Sequence, residues 1–133
     1  MTLAKLDNLT YIATGSSPSV LADEAAGMLI LTGESYPENS FEFFRPILTW
    51  VADFLERDGR ALTLELRLTY LNTSSIKCMM DLLDLMEDAH RTGRAILLNW
   101  YYDEENDRAL DLAEEFKEDL SLPFNTIPIK LEG

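Results

Sequence analysis

A chain of 133 residues, 47% hydrophobic and 26% charged, is long enough to bury a substantial core in one domain, and residues 1–133 are expected to form a single domain. Its 11 basic residues against 24 acidic ones leave a net charge of −13, a field that repels nucleic acid and anionic membrane surfaces and favours neutral or basic protein partners. No apolar run approaches the roughly 20 residues of a membrane-spanning helix, and Met1-Thr2-Leu3-Ala4-Lys5-Leu6-Asp7 lacks the pattern of an export signal, so a cytoplasmic protein with no membrane insertion is expected.

Tyr11 to Ala13 reads as a short strand, Gly15-Ser16-Ser17-Pro18 as a turn, and Val20-Leu21 as a second extended piece that pairs with the first. Gly27 to Gly33 has a continuous apolar centre between glycines, the form of a buried strand. Asn39 with Glu42 three residues later has the spacing of a capping box. Phe41, Phe44, Ile47, Leu48, Val51, Phe54 and Leu55 then recur at helical spacing up to Asp58-Gly59. Pro46 lies inside that helix and predicts either a kink or a one-turn prelude ending near Arg45.

From Ala61 to Leu71, leucines alternate with Thr63, Glu65, Arg67 and Thr69, which predicts a strand with one face on the core and the other polar. Ile76 to Ala89 is an apolar helix, with Asp81, Asp84, Glu87 and Asp88 expected to point away from the core and Gly93 expected at its cap. Ala95 to Tyr101 is the next strand, and Asp103 to Leu120 a third helix whose acids face only Arg108 and Lys117. Pro123 precedes a last strand, Thr126 to Leu131, and Pro128 assigns that strand to an edge. The order β-β-β-α-β-α-β-α-β favours an α/β sandwich, a mixed sheet with helices mainly on one face and right-handed parallel crossovers.

Chemistry is sparse. No dinucleotide or P-loop fingerprint follows any strand, and no cofactor is implied. Cys78 is the single cysteine, which excludes an internal disulfide and a cysteine metal cage, and its apolar neighbours point to a buried, unreactive thiol. His90, the lone histidine, lies near the end of its helix, where a cation complements the dipole. Asp81, Asp84 and Asp88, or Asp103, Glu104 and Asp107, form carboxylate rows that fit a solvated acidic face better than a metal site, and a metal-dependent hydrolase is the weakest reading. Tyr36-Pro37-Glu38-Asn39 reads as a turn ending in a helix cap.

Asn72-Thr73-Ser74-Ser75 is the most informative stretch, because it sets hydroxyls between a strand and the start of a helix. Unpaired N–H groups and the macrodipole favour an anion there, so the position suits a phosphate. The same residue types cap helices generally, and spacing alone leaves cap and switch both open. Lys77, one turn after Thr73, is within reach of a phosphate or of Asp81.

Tyr70-Leu71-Asn72-Thr73-Ser74-Ser75-Ile76-Lys77, then Met79-Met80-Asp81 and Leu83-Asp84, together with Ser35-Tyr36-Pro37-Glu38-Asn39-Ser40, resemble the SiaC family of bacterial regulatory phosphoproteins. Tyr101-Tyr102-Asp103 and Ala113-Glu114-Glu115-Phe116 are similar to its later segments, and the likeness runs from about Gly27 to Phe124. The resemblance implies a non-enzymatic, STAS-like partner-switching module of c-di-GMP and biofilm signalling. In such a module a Ser/Thr kinase phosphorylates the loop threonine, here Thr73, and a PP2C-type phosphatase reverses it. The unmodified form binds and activates a diguanylate cyclase. It also directs attention to Asn72, Ser74, Ser75 and Lys77 as neighbours of the switch, and to Tyr36, Pro37, Glu38, Asn39 and Tyr70 as partner contacts. A STAS-type anti-sigma-factor antagonist is the rival within the same fold.

Overall fold

The computed structural model describes residues 7–57 and 59–130. Its elements are β1 (Leu9–Tyr11), β2 (Ser19–Asp23), β3 (Met28–Ser35), α1 (Ser40–Glu56), β4 (Leu62–Leu71), α2 (Thr73–Arg91), β5 (Ile96–Asp103), α3 (Asp107–Glu118) and β6 (Phe124–Ile129). This is the order that the hydrophobic periods predict. The third helix begins later than Asp103, because β5 continues through Tyr102 and Asp103 in register with Pro128 and Ile129 of β6. Asn106 then caps α3, its side chain accepting from the Ala109 N–H at 3.1 Å. The first helix has no break at Arg45: α1 runs from Ser40 to Glu56 with Pro46 inside it. Pro46 is exposed, so the missing donor falls on the solvent side of the helix.

The strands form one sheet in the order β1-β2-β3-β4-β5-β6, antiparallel through β1, β2 and β3 and parallel from β3 to β6. Pro128 lies in the edge strand β6, where its missing N–H costs no ladder bond to a further strand. Because the parallel strands succeed one another in one direction, right-handed crossovers carry α1, α2 and α3 to the same face. Alternation in β4 follows from this. Leu62, Leu64, Leu66 and Leu68 are buried against the helices with Phe44, Ile47, Val51 and Phe54 of α1 and Met79, Leu82, Leu83 and Met86 of α2. On the opposite face the Tyr101 hydroxyl donates to Glu65 Oε1 at 3.2 Å, and the Arg67 guanidinium lies 4.7 Å from the centre of the Tyr101 ring.

Each helix runs back against its strands, so α1 and α2 are parallel to one another, with both N-termini at the carboxyl edge of the sheet. Their far ends are fixed by backbone bonding. α1 has no basic residue in its last turn, and Arg94 supplies one from the α2–β5 connection, donating to Leu55 O and Arg60 O at 2.8 Å each. α2 closes with Gly93 at φ +101°, the Gly93 N–H reaching His90 O at 3.0 Å and the Arg94 N–H reaching Ala89 O at 3.1 Å. Gly27, at φ +64°, is required for a second reason: a Cβ there would stand 2.6 Å from Ala61 O. Among the described residues no helix is long and apolar enough to cross a membrane.

Candidate functional site

The carboxyl ends of β3 and β4 meet where α1 and α2 begin. The Asn72 N–H donates to Ser35 O at 2.9 Å, while its Oδ1 accepts from the Ser75 N–H at 2.9 Å. One residue therefore ties the end of β3 to the end of β4 and caps α2. Thr73 is the first residue of α2 and is exposed. The first turn of α2 contains no acid, whereas that of α1 contains Glu42. The partial positive charge at the α2 N-terminus is thus not answered by a carboxylate of its own first turn.

A cluster of serines bridges the two helix starts. Ser35 Oγ is 2.8 Å from Ser75 Oγ, and Ser40 Oγ is 2.7 Å from Ser74 Oγ and 3.2 Å from Ser75 Oγ. Ser74 also donates to Asn72 Oδ1 at 3.3 Å. Ser35, Ser40 and Ser75 are buried, and each hydroxyl offsets its burial by bonding to another. Sequence reasoning placed Ser74 and Ser75 beside the switch but assigned no role to Ser35 and Ser40. The available signal was that these two flank the Tyr36-Pro37-Glu38-Asn39 turn at the end of a strand and the start of a helix.

The expected partner-contact residues divide into two kinds. Tyr36 and Tyr70 are both exposed and meet edge to face with ring centres 5.9 Å apart, forming an aromatic patch at the ends of β3 and β4. The Tyr36 hydroxyl donates to Gly15 O, which fixes that ring against the β1–β2 loop. Asn39, by contrast, is engaged as the cap of α1: its Oδ1 accepts from the Glu42 N–H at 3.1 Å and its Nδ2 donates to Glu42 Oε2 at 3.4 Å. Pro37 is half-buried and Glu38 exposed in the turn between them. Lys77 is exposed, its Nζ 3.9 Å from Asp81 Oδ1.

Glu87 corrects the sequence reading, which placed it on the outward face. It is buried, and it accepts from the Ser121 N–H at 2.9 Å, Ser121 Oγ at 2.7 Å, the Leu122 N–H at 3.1 Å and Arg91 Nε at 3.0 Å. Burial opposes its charge, but the bonds from Ser121, Leu122 and Arg91 outweigh it and hold the carboxyl at about 2, against an ordinary 4.5. Its position beside Met86 and one turn beyond Leu83, at the margin of the apolar stripe, was the legible hint. Met80 departs in the other direction: it falls within the apolar stripe yet is 50% exposed. Cys78 is buried, and burial, with Asp81 nearby, pushes its thiol upward, away from the reactive thiolate. Among the described residues no three acidic, histidine or cysteine side chains converge as metal ligands.

The site is thus an exposed threonine at a capped helix start, at the same end of the sheet as two exposed aromatic rings. The chain belongs to the SiaC family of regulatory phosphoproteins, which it matches over residues 12–129. It is 52% identical over 119 residues to an uncharacterized protein of Pseudomonas aeruginosa strain UCBPP-PA14, an alignment covering 90% of this chain and 94% of that one. The crystal structure of apo-SiaC from Pseudomonas aeruginosa superposes with a TM-score of 0.88 at 50% identity, covering 91% of this chain and 98% of the other. The crystal structure of the diguanylate cyclase SiaD in complex with its activator SiaC from Pseudomonas aeruginosa matches with a TM-score of 0.89 at 51% identity, covering 91% of this chain and 99% of the matched chain. The family is one of regulatory phosphoproteins, and the chain is accordingly a regulatory protein.

Proposed function

We propose that this protein binds and activates a diguanylate cyclase in its unmodified form, and that phosphorylation of Thr73 by a partner-switching Ser/Thr kinase blocks the complex until a PP2C-type phosphatase removes the phosphate. The observation that carries this reading is the position of Thr73: exposed at the first residue of α2, next in sequence to the bonded serines Ser74 and Ser75 and three residues after Tyr70 of the Tyr36–Tyr70 patch. The SiaC relative described as an activator of SiaD, at 51% identity over nearly its whole length, supports the choice of partner class.

The gating follows from charge. A phosphate adds about −1.5 to −2 units at neutral pH. At the helix start it gains about 0.3–1 kcal/mol from the dipole, and Lys77 stands one turn away to donate to it, so the modified fold remains stable. In the complex the same group is enclosed against a surface with no cation arranged for it. A mispaired buried charge at an interface costs roughly 2–5 kcal/mol, and each 1.4 kcal/mol is tenfold in affinity, so one phosphate converts a mostly bound protein into a mostly free one without refolding.

The test is cyclase output with purified components, together with mass spectrometry of the protein from its host. Wild type and Thr73→Ala are expected to raise cyclic dinucleotide synthesis, and Thr73→Asp to raise it less, a carboxylate having less charge than phosphate. No activation by wild type, together with tight binding to an anti-sigma kinase, would replace this reading by that of an anti-sigma-factor antagonist.

A further inference from the structure

Arg108 stands where a helix does not favour it. It is the second residue of α3 and is exposed, so its charge adds to the partial positive charge that the macrodipole already sets at that end. Carboxylates are close in sequence, Glu104 and Glu105 before it and Asp111 three residues on. Yet among the described residues Arg108 forms no ion pair. An uncommitted guanidinium on a chain of net charge −13 is available to an added anion.

Opposite Arg108 lies the switch end of α2. α2 and α3 run in the same direction, each returning against the parallel strands, and Ile76 of α2 lines one groove with Leu112 of α3. Thr73 stands three residues before Ile76, and Arg108 four before Leu112. Each therefore lies one turn nearer the N-terminus, on the side of its helix that carries the residue facing the other helix. A second contact agrees. A cavity of 180 Å³ at the end of β4 is lined by Tyr70, Leu71 and Arg108, which sets the Arg108 side chain against the two residues that lead into the Asn72 cap. Helices packed as neighbours lie about 8–10 Å apart, a span that an extended arginine and a phosphothreonine bridge from opposite sides.

We propose that Arg108 is the phosphate-binding residue of the modified protein, its guanidinium donating across the gap between α2 and α3 to the phosphate on Thr73. The inference rests on the reading of Thr73 as the phosphorylated residue. Lys77 reaches the same group from its own helix, but two arguments favour Arg108 as the main partner. The planar guanidinium meets two phosphate oxygens at once, whereas an ammonium acts as a point charge. Lys77 Nζ also stands 3.9 Å from Asp81 Oδ1, while Arg108 has no ion pair to give up. A dianion on Thr73 answers both the positive end of α2 and the misplaced charge of Arg108. The gate thereby gains a second component: a partner must displace an internal pair as well as desolvate the phosphate.

The experiment compares the full-length protein carrying phosphothreonine installed at position 73 during synthesis, in wild-type, Arg108→Gln, Arg108→Lys and Lys77→Gln forms, each beside its unmodified counterpart. The readouts are the melting temperature and the pH titration of the phosphate by phosphorus NMR. Unmodified wild type and Arg108→Gln are expected to melt within about 1 °C of one another. Once phosphorylated, wild type is expected to melt at least about 2 °C above Arg108→Gln and its phosphate to titrate at least about half a unit lower, with Arg108→Lys between the two. Phosphorylated Arg108→Gln that melts and titrates like phosphorylated wild type overturns the assignment, as does the full loss appearing in Lys77→Gln instead. The switch reading is judged separately, by cyclase affinity: it falls if phosphorylation leaves that affinity unchanged, and stands if only the Arg108 contrast is absent.

Discussion

Glu87, in the C-terminal half of α2, is a buried carboxylate already met by Ser121, Leu122 and Arg91, whereas Thr73, at the other end, is an exposed hydroxyl over a helix start with no acid in its first turn. The same helix thus carries one negative charge as a permanent fastening and leaves its other end open to an anion, the position we propose for the phosphate. Glu87 joins α2 to the α3–β6 connection, and together with Arg94 at the end of α1 it fixes the far side of the helix layer. A switch that alters one surface without disturbing the fold needs both: a rigid frame and an end where an added dianion is tolerated.

If this contrast is correct, removing the matched charge damages stability and spares the switch. Glu87→Gln is expected to destabilise the protein by about 3 kcal/mol in denaturant unfolding at pH 7, because it weakens charge-assisted bonds to buried donors. Acid separates the two contributions. With a folded value of about 2 against an ordinary 4.5, Glu87 contributes stability that is fully present above about pH 4.5 and is lost as pH falls toward 2. At about 1.4 kcal/mol per pH unit this amounts to about 3 kcal/mol. Unfolding curves from pH 6 to pH 2 should show that loss in wild type and a much flatter response in Glu87→Gln. Equal acid sensitivity would show that Glu87 is not the fastening described.

Smaller effects sharpen the picture at the switch end. Ser75→Ala removes the hydroxyl that Ser35 bonds in a buried site, while Ser40 keeps Ser74, and is expected to cost about 1–3 kcal/mol, measured by the same unfolding curves. Asn72→Ala removes the α2 cap and should cost about 1 kcal/mol, with faster amide hydrogen exchange confined to the first turn of α2. Lys77→Ala breaks an exposed pair with Asp81 and should change stability by no more than about 0.5 kcal/mol. A large loss from Lys77→Ala would mean that the unmodified switch end depends on charge pairing more than its geometry indicates.

The strands and helices were legible because their periods are clean: the alternating leucines of β4 are buried, and so is most of the apolar stripe of α2, Met80 apart. Asn72, Thr73 and Lys77 were also legible as a helix start, since capping is a local property of residue type. The serine bed was not, because Ser35 and Ser40 bond to Ser74 and Ser75 across thirty-four to forty positions of sequence, a separation that only the sheet topology brings together. Glu87 was misread for the same reason. Its donors come from Ser121 and Leu122, and a carboxylate beside acidic neighbours looks solvated until a distant loop folds over it.

The most direct measurement is the affinity of the cyclase for two preparations of the wild-type chain, one unmodified and one stoichiometrically phosphorylated on Thr73, compared at the same salt concentration and with matched melting temperatures. The account predicts a loss of at least about 30-fold on phosphorylation, the equivalent of about 2 kcal/mol, with both preparations folded. Equal affinity of the two forms would contradict it.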